Sequence, residues 1–262
     1  MSFVERHPHG HFCWLELATT DRLGALSFYG RLFGWGSVDA PMDKDIYTMF
    51  KLKEKDTGAT YQLSPEMLGQ GIPPHWLLYI SVDDVEAAAG SVAAAGGAVM
   101  MGPFDVQLHG RMAVARDPQG ATFALWQAKN HPGIGIQDEP NAFCWPELNT
   151  SDAAGALRFY PAVLGWGHKS DAGSSGVAYT EWKAGEKSIG GMMQIQPEWG
   201  PVPSHWMPYF QVADCDATLA LATQLGGKAV TQAMDIPNVG RFAVMQDPQG
   251  AHFSIIRLGP AS

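Results

Sequence analysis

Two glutamates lie inside apolar runs of the chain, Glu16 in "CWLELAT" and Glu147 in "CWPELNT". A carboxyl group in such a setting loses its hydration, and desolvation raises its pKa toward the range where it exchanges protons near neutrality. Each is a candidate general base. A second reading stays open, in which Glu16 and Glu147 pair with Arg111 and Arg241 as structural bridges, because buried carboxylates are seldom left alone. Other catalytic arrangements are not legible. No serine sits in a G-x-S-x-G elbow, and no cysteine has a local histidine signature. The glycine-rich "DAGSSG" at 171–176 precedes a strand, not a helix, so it reads as a loop and not as a phosphate cradle.

The elements that carry these glutamates are written twice. Positions 12–36 read "FCWLELATTDRLGALSFYGRLFGWG" and 143–167 read "FCWPELNTSDAAGALRFYPAVLGWG", with 15 of 25 aligned positions identical. "PHWLLYISVDD" is answered by "SHWMPYFQVAD", Gly96-Gly97 by Gly226-Gly227, and "GRMAVARDPQGATFALW" by "GRFAVMQDPQGAHFSII". A repeat of this length predicts two tandem domains, 8–128 and 140–258, joined by a polar, Pro- and Gly-containing linker at 129–139. Within each domain, strand and helix periods alternate. Asp21 is placed to cap a helix that Gly34 ends, and a second helix starts near Asp83 or Asp84 and stops at the glycine pair. Short β-like runs such as "YTMFKL", "GATYQL" and "MAVARD" follow, with "DPQG" turns. The expected fold is α+β, four β-α-β-β-β modules in two domains. Pro161, opposite Gly30 of the first copy, predicts a kink in the third helix.

This order, with the "FY…LGW" helix end, the "VDD" helix start and the "DPQGA.F" turn, resembles the vicinal oxygen chelate superfamily. That superfamily includes glyoxalase I, bleomycin-resistance proteins, extradiol dioxygenases and fosfomycin-resistance enzymes. The paired "CW.EL", "HW..Y" and "GR.AV..DPQGA" phrases look like a tandem glyoxalase-like subgroup often labelled hydroxylases. The resemblance implies cup-shaped mixed sheets and, in metal-dependent members, one metal ligand from each of four strands. Carried onto this chain, those slots hold Trp14, Tyr61, Leu77 and Ala124, then Trp145, Met193, Met207 and Ser254. None is a ligand that Fe²⁺, Mn²⁺, Ni²⁺ or Zn²⁺ would select, so no metal cofactor is expected at the usual place. An unorthodox site of Glu16 with His75, or of Glu147 with His205 and His252, is the alternative.

Strand alternation puts Trp14, Glu16, His75, Tyr79 and Trp126 on the cup face of the first domain. Trp145, Glu147, His205, Tyr209, His252 and Ser254 take that face in the second. Arg111 and Arg241 are expected at the cup mouths. His75 and His205 also suit a strand-edge role, and the tryptophans also suit core packing. His109 and His252 lack counterparts in the other copy. His7, His9 and His11 read as a flexible surface tail, and Cys13 and Cys144 as packing thiols facing away from the cup.

The formal charge of −9 carries no basic stripe, which excludes nucleic acid as an expected partner. No apolar run is long enough to span a membrane, the first residues lack a secretory pattern, and three cysteines without CxxC spacing form no disulfide or zinc framework. A cytoplasmic protein is expected, either a monomer with pseudo-dimeric domains or a homodimer. Its expected function is to bind a small carbonyl-bearing or aromatic molecule in an aromatic-lined cup. The alternatives are a glyoxalase-like lyase or isomerase, a hydroxylase- or dioxygenase-type oxidoreductase, and a non-catalytic dimerising scaffold.

Overall fold

Strand β1 (Phe12–Thr19) is buried along its whole length, as its two-sided apolar sequence requires. It belongs to a computed structural model that describes residues 4–41, 46–171 and 177–259. The "DAGSSG" segment after Asp171 lies outside the described residues. After β1 come helix α1 (Arg22–Phe33) and strands β2 (Gly36–Pro41), β3 (Ile46–Leu52) and β4 (Lys55–Gln62). A short helix α2 (Pro65–Gly69) leads to β5 (His75–Ser81), α3 (Val85–Ala94), β6 (Ala98–Val106), β7 (Gly110–Arg116) and β8 (Thr122–Ala128). The caps are those expected: the Asp21 carboxylate accepts from Gly24 N–H, Gly34 ends α1 at φ 71°, and Asp84 caps α3.

The second half repeats this as β9 (Phe143–Thr150), α4 (Ala153–Leu164), β10 (Gly167–Asp171), β11 (Tyr179–Ala184) and β12 (Lys187–Gln194). Then follow β13 (His205–Gln211), α5 (Cys215–Gln224), β14 (Lys228–Ala229), β15 (Met234–Ile236), β16 (Gly240–Gln246) and β17 (His252–Leu258). Helix α4 runs through Pro161 to Leu164 with the same 12 residues as α1, so the proline does not end it. The first sheet has the order β2-β3-β4-β1-β5-β8-β7-β6, and the second repeats it from β10 to β14, with β15 beside β16. In each, two modules meet through antiparallel first strands, β1 with β5 and β9 with β13.

Leu15, Leu17, Trp76, Leu78, Phe123 and Leu125 point to one side of the first sheet, and that side is the core shared with the second domain. The helices interlock across it. Tyr29 of α1 donates to Asp247 in the second domain's "DPQG" turn at 3.0 Å, and Tyr160 of α4 donates to Asp117 in the first domain's turn at 3.0 Å. Trp76 and Trp206 each donate an indole N–H to the same phenol oxygens, at 3.1 and 2.9 Å. Trp35 reaches Asn141 O and Trp166 reaches Gly10 O, at 2.7 and 2.9 Å. These cross-domain hydrogen bonds thus come in pseudo-twofold pairs.

Two segments are better packed than their composition implies. The 129–139 stretch lies against the first domain: Ile134 and Ile136 are buried, and Ile134 N–H donates to Cys13 O at 2.7 Å. The amino-terminal histidines are not a loose tail, because His7 is buried with Nε2 2.9 Å from Ile134 O, and His11 is half-buried. A buried backbone partner fixes what sequence polarity alone suggested would be free.

Tyr29→Phe should leave Asp247 and Trp76 each short of a partner inside the shared core, at about 1–3 kcal/mol per unsatisfied group. Tyr160→Phe should do the same to Asp117 and Trp206. Urea unfolding of the two variants checks this, with a lowered midpoint expected for both.

Candidate functional site

The other side of each sheet is turned away from the shared core. Glu16 stands there, 8% exposed, between Ala59 of β4 and Leu77 of β5 in register. One of its oxygens accepts from Tyr79 OH at 2.7 Å, and the other from Tyr47 OH at 2.8 Å. Trp14 Nε1–H in turn donates to the Tyr47 oxygen at 2.9 Å. The second cup copies this network: Tyr209 OH and Tyr179 OH donate to Glu147 at 2.8 and 3.1 Å, and Trp145 donates to Tyr179 at 2.9 Å.

Burial pushes the Glu16 and Glu147 carboxyls above the ordinary glutamate range, and the tyrosine hydrogen bonds oppose it only in part. Burial, with the neighbouring glutamate, also holds Tyr47, Tyr79, Tyr179 and Tyr209 well above the ordinary phenol value, so they stay neutral donors. Each glutamate is therefore a buried carboxyl held between two uncharged phenol donors.

The arginines do not belong to the cups. Arg111 lies opposite Gln127 in register while Met112 lies opposite Trp126, so alternation puts methionine in the cup and arginine on the far side. Arg111 pairs instead with Asp105 and Glu86, and Arg241 with Asp216 and Asp235. Neither bridges Glu16 or Glu147, so the structural ion-pair reading of the glutamates is corrected. The histidines sit at the rim. His75 and His205, whose Nδ1 atoms lie 2.8 Å from Pro73 O and Pro203 O, flank Ala18 and Asn149 in register. His252 begins β17 and is exposed.

Trp126 donates to His131 O at 3.0 Å, and the His131 ring stands edge-on to Trp14 with centroids 4.8 Å apart. Tyr47, Tyr179, His131 and Asn149 are site residues that sequence reasoning passed over. The recurrence of "YTMF" as "YTEW" was the available signal for the two tyrosines. Cys13 and Cys144 donate weakly to Tyr79 O and Tyr209 O, and burial raises both thiols, as packing cysteines require.

Two clefts lie away from the cups, at the seam between the domains. One of about 520 Å³ is lined by Pro8, His9, His11 and Trp166, and one of about 180 Å³ by Phe28, Arg31 and Gln249. Neither contains a cup glutamate. Among the described residues, no three His, Cys, Asp or Glu side chains are grouped to hold a metal. The row through Glu16 offers only Ala59 and Leu77 beside it, and the row through Glu147 offers Gly191 and Met207. This donor set, one carboxylate among apolar neighbours, does not fit a divalent metal.

Residues 11–125 match the Glyoxalase/Bleomycin resistance protein/Dioxygenase superfamily, and 146–256 match a Glyoxalase-like domain. The chain is 43% identical over 249 residues to "Putative glyoxylase CFP32" of Mycobacterium tuberculosis, covering 94% of each. The chain belongs to the glyoxalase/bleomycin resistance protein/dioxygenase superfamily. It is also 36% identical to "Anthracycline biosynthesis protein DnrV" of Streptomyces peucetius, covering 97% of this chain and 96% of that protein. Among solved structures, the Mn(II)-bound glyoxalase from Novosphingobium aromaticivorans shares the fold at a TM-score of 0.65 and 13% identity, over 95% of this chain and 82% of that one. The superfamily's tandem fold is thus present, with a carboxyl–phenol network on each cup floor.

In the folded protein both glutamates bind protons more tightly than in the unfolded chain. Their contribution to stability therefore falls as pH rises from the unfolded value of about 4.3 through the raised folded value. Glu16→Gln and Glu147→Gln lack this term, so their stability relative to wild type should increase across that window. Urea titrations at stepped pH values measure it, and a difference that stays flat with pH would show normally titrating carboxyls.

Proposed function

We propose that the protein binds a small organic molecule, carbonyl-bearing or aromatic, on its aromatic cup floors without a divalent metal. The observation that supports this best is the repeated network of Trp, two Tyr and Glu on the face opposite the shared core. Packing alone does not call for it, since burying a carboxyl costs free energy that an apolar residue would spare. Indole and phenol walls suit a flat ligand, and a few convergent polar groups suit its orientation. The relative named for anthracycline biosynthesis supports a small organic ligand for this chain as well.

A second reading is favoured by the raised glutamate values. A ligand proton held near Glu16 or Glu147 could be taken up by the carboxylate and returned, which is the proton shuttle a glyoxalase-like lyase or isomerase needs. The neutral tyrosines would then hold the carboxyl in place and stabilise its charged form.

A thermal-shift screen against dicarbonyls, aromatic aldehydes and hydroxylated aromatics tests the binding reading. A ligand at 100 times its Kd adds about 2.7 kcal/mol to apparent stability, and the rise should shrink in the Glu16→Gln, Glu147→Gln double variant. Hits that shift the double variant as far as wild type would place binding elsewhere. Dialysis against a chelator should leave the melting temperature unchanged. A stoichiometric first-row metal lost on either Glu→Gln substitution would overturn the metal-free part of the proposal.

A further inference from the structure

The two cups share a floor but differ at one position beside it. Asn149 lies two residues beyond Glu147 on β9, on the same face, where the first cup has Ala18. It is 5% exposed, and its Oδ1 is buried with no hydrogen-bond partner. Its orientation follows from its neighbours. A carbonyl can only accept, so the His205 Nδ1 at 2.8 Å from Pro203 O carries the ring proton. Burial keeps that imidazole neutral, which leaves its Nε2 as an acceptor. The Asn149 amide, 3.5 Å from that Nε2, turns its NH₂ to the histidine and its oxygen away.

The phenol and indole donors on this floor are engaged, and the Ser254 hydroxyl beside Tyr209 is buried without a partner. Both tyrosine hydroxyls donate to Glu147, and the Trp145 N–H donates to Tyr179. Acceptors are left over: the second lone pairs of the Glu147 oxygens, and Asn149 Oδ1. No Lys or Arg pairs with Glu147 among the described residues. The first cup is also more closed. The His131 ring, to whose carbonyl Trp126 donates, stands edge-on to Trp14 there, and Trp14 is 6% exposed, whereas Ile256 stands at the Trp126 position in the second cup and Trp145 is half-buried.

We propose that the second cup is the selective ligand site, and that it takes a molecule presenting two hydrogen-bond donors, hydroxyl or amine, to Glu147 and Asn149 Oδ1. This rests on the ligand-binding reading above and narrows its ligand class. Residues two apart on a strand are roughly 6–7 Å apart, so the donors belong on opposite edges of one ring system. Met193, the β12 neighbour of Asn149, is the flexible side chain that moves to admit the ligand. An oxyanion or an ether offers this floor no donor and is rejected, because the buried acceptors would stay unpaired.

The test is a matched series: a naphthalenediol with hydroxyls on opposite rings, its monomethyl ether and its dimethyl ether. Each is titrated calorimetrically into the full chain and into Asn149→Ala, Glu16→Gln and Trp145→Ala. Asn149→Ala installs the residue that the fold already carries at position 18, so folding is expected to survive. Affinity should fall roughly 3- to 10-fold for each hydroxyl methylated. Asn149→Ala should erase the difference between diol and monoether, whereas the ratio of diol to monoether affinity should persist in Glu16→Gln whatever that variant does to binding in the first cup. Equal binding of diol and dimethyl ether, both weakened by Trp145→Ala, would overturn the donor requirement while keeping the ligand-binding reading. A diol preference that survives Asn149→Ala but vanishes in Glu16→Gln would overturn the choice of cup. Binding by no member of the series would overturn both.

Discussion

The hydrogen bonds from Tyr29 to Asp247 and from Tyr160 to Asp117 tie each domain's first helix to the other domain's last turn. Each aspartate also accepts backbone N–H groups from its own turn, Gln119 and Ala121 for Asp117, and Gln249, Gly250 and Ala251 for Asp247. The phenol therefore completes a shell that would otherwise lack a donor in a buried place. With the helices fixed there, Trp35, Trp76 and Phe253 close around Tyr29, Phe210 packs on Phe33, and both sheets are held with their glutamate faces away from the junction. Without that anchoring, neither cup would have a rigid floor.

Much of the repeated sequence serves this junction and not the cups. The "FY" pair sends its tyrosine to the opposite turn and its phenylalanine against the opposite glycine pair: a Cβ on Gly97 would meet the Phe159 ring at 2.8 Å, and one on Gly227 the Phe28 ring at 3.2 Å. The first glycine of each pair, Gly96 or Gly226, ends a helix at positive φ. The glutamine of "DPQG" reaches the other domain's helix start, where a Cβ on Gly24 or Gly155 would crowd it at 2.9 or 2.6 Å. What reads as a fold signature in one domain is therefore half of a contact with the other.

Domain duplication, strand order and caps were legible because they follow local periods and cap chemistry, and the repeat counts each twice. The cup face of β1 was legible for the same reason: alternation through Trp14 and Glu16 leaves one choice. The partners of the glutamates were not, since Tyr47 and Tyr179 reach them from strands about 30 residues away. Nothing local distinguishes a tyrosine bound for a carboxylate from one bound for solvent. Arg111 and Arg241 were misplaced by a single step of alternation, which moves a side chain to the opposite face. His7 and the 129–139 stretch were misread because polarity says nothing of a backbone partner found only in the folded chain.

Crossed docking also bears on how the chain is made. Tyr160 follows Asp117 by 43 residues, but Tyr29 waits 218 residues for Asp247. At about 5–20 residues per second of synthesis, α1 leaves the ribosome tens of seconds before its partner turn exists. During that interval Phe28, Tyr29 and Phe33 have only the near half of their surroundings. Until the second domain is made, the turn that caps α1 does not exist, and completing that domain supplies it.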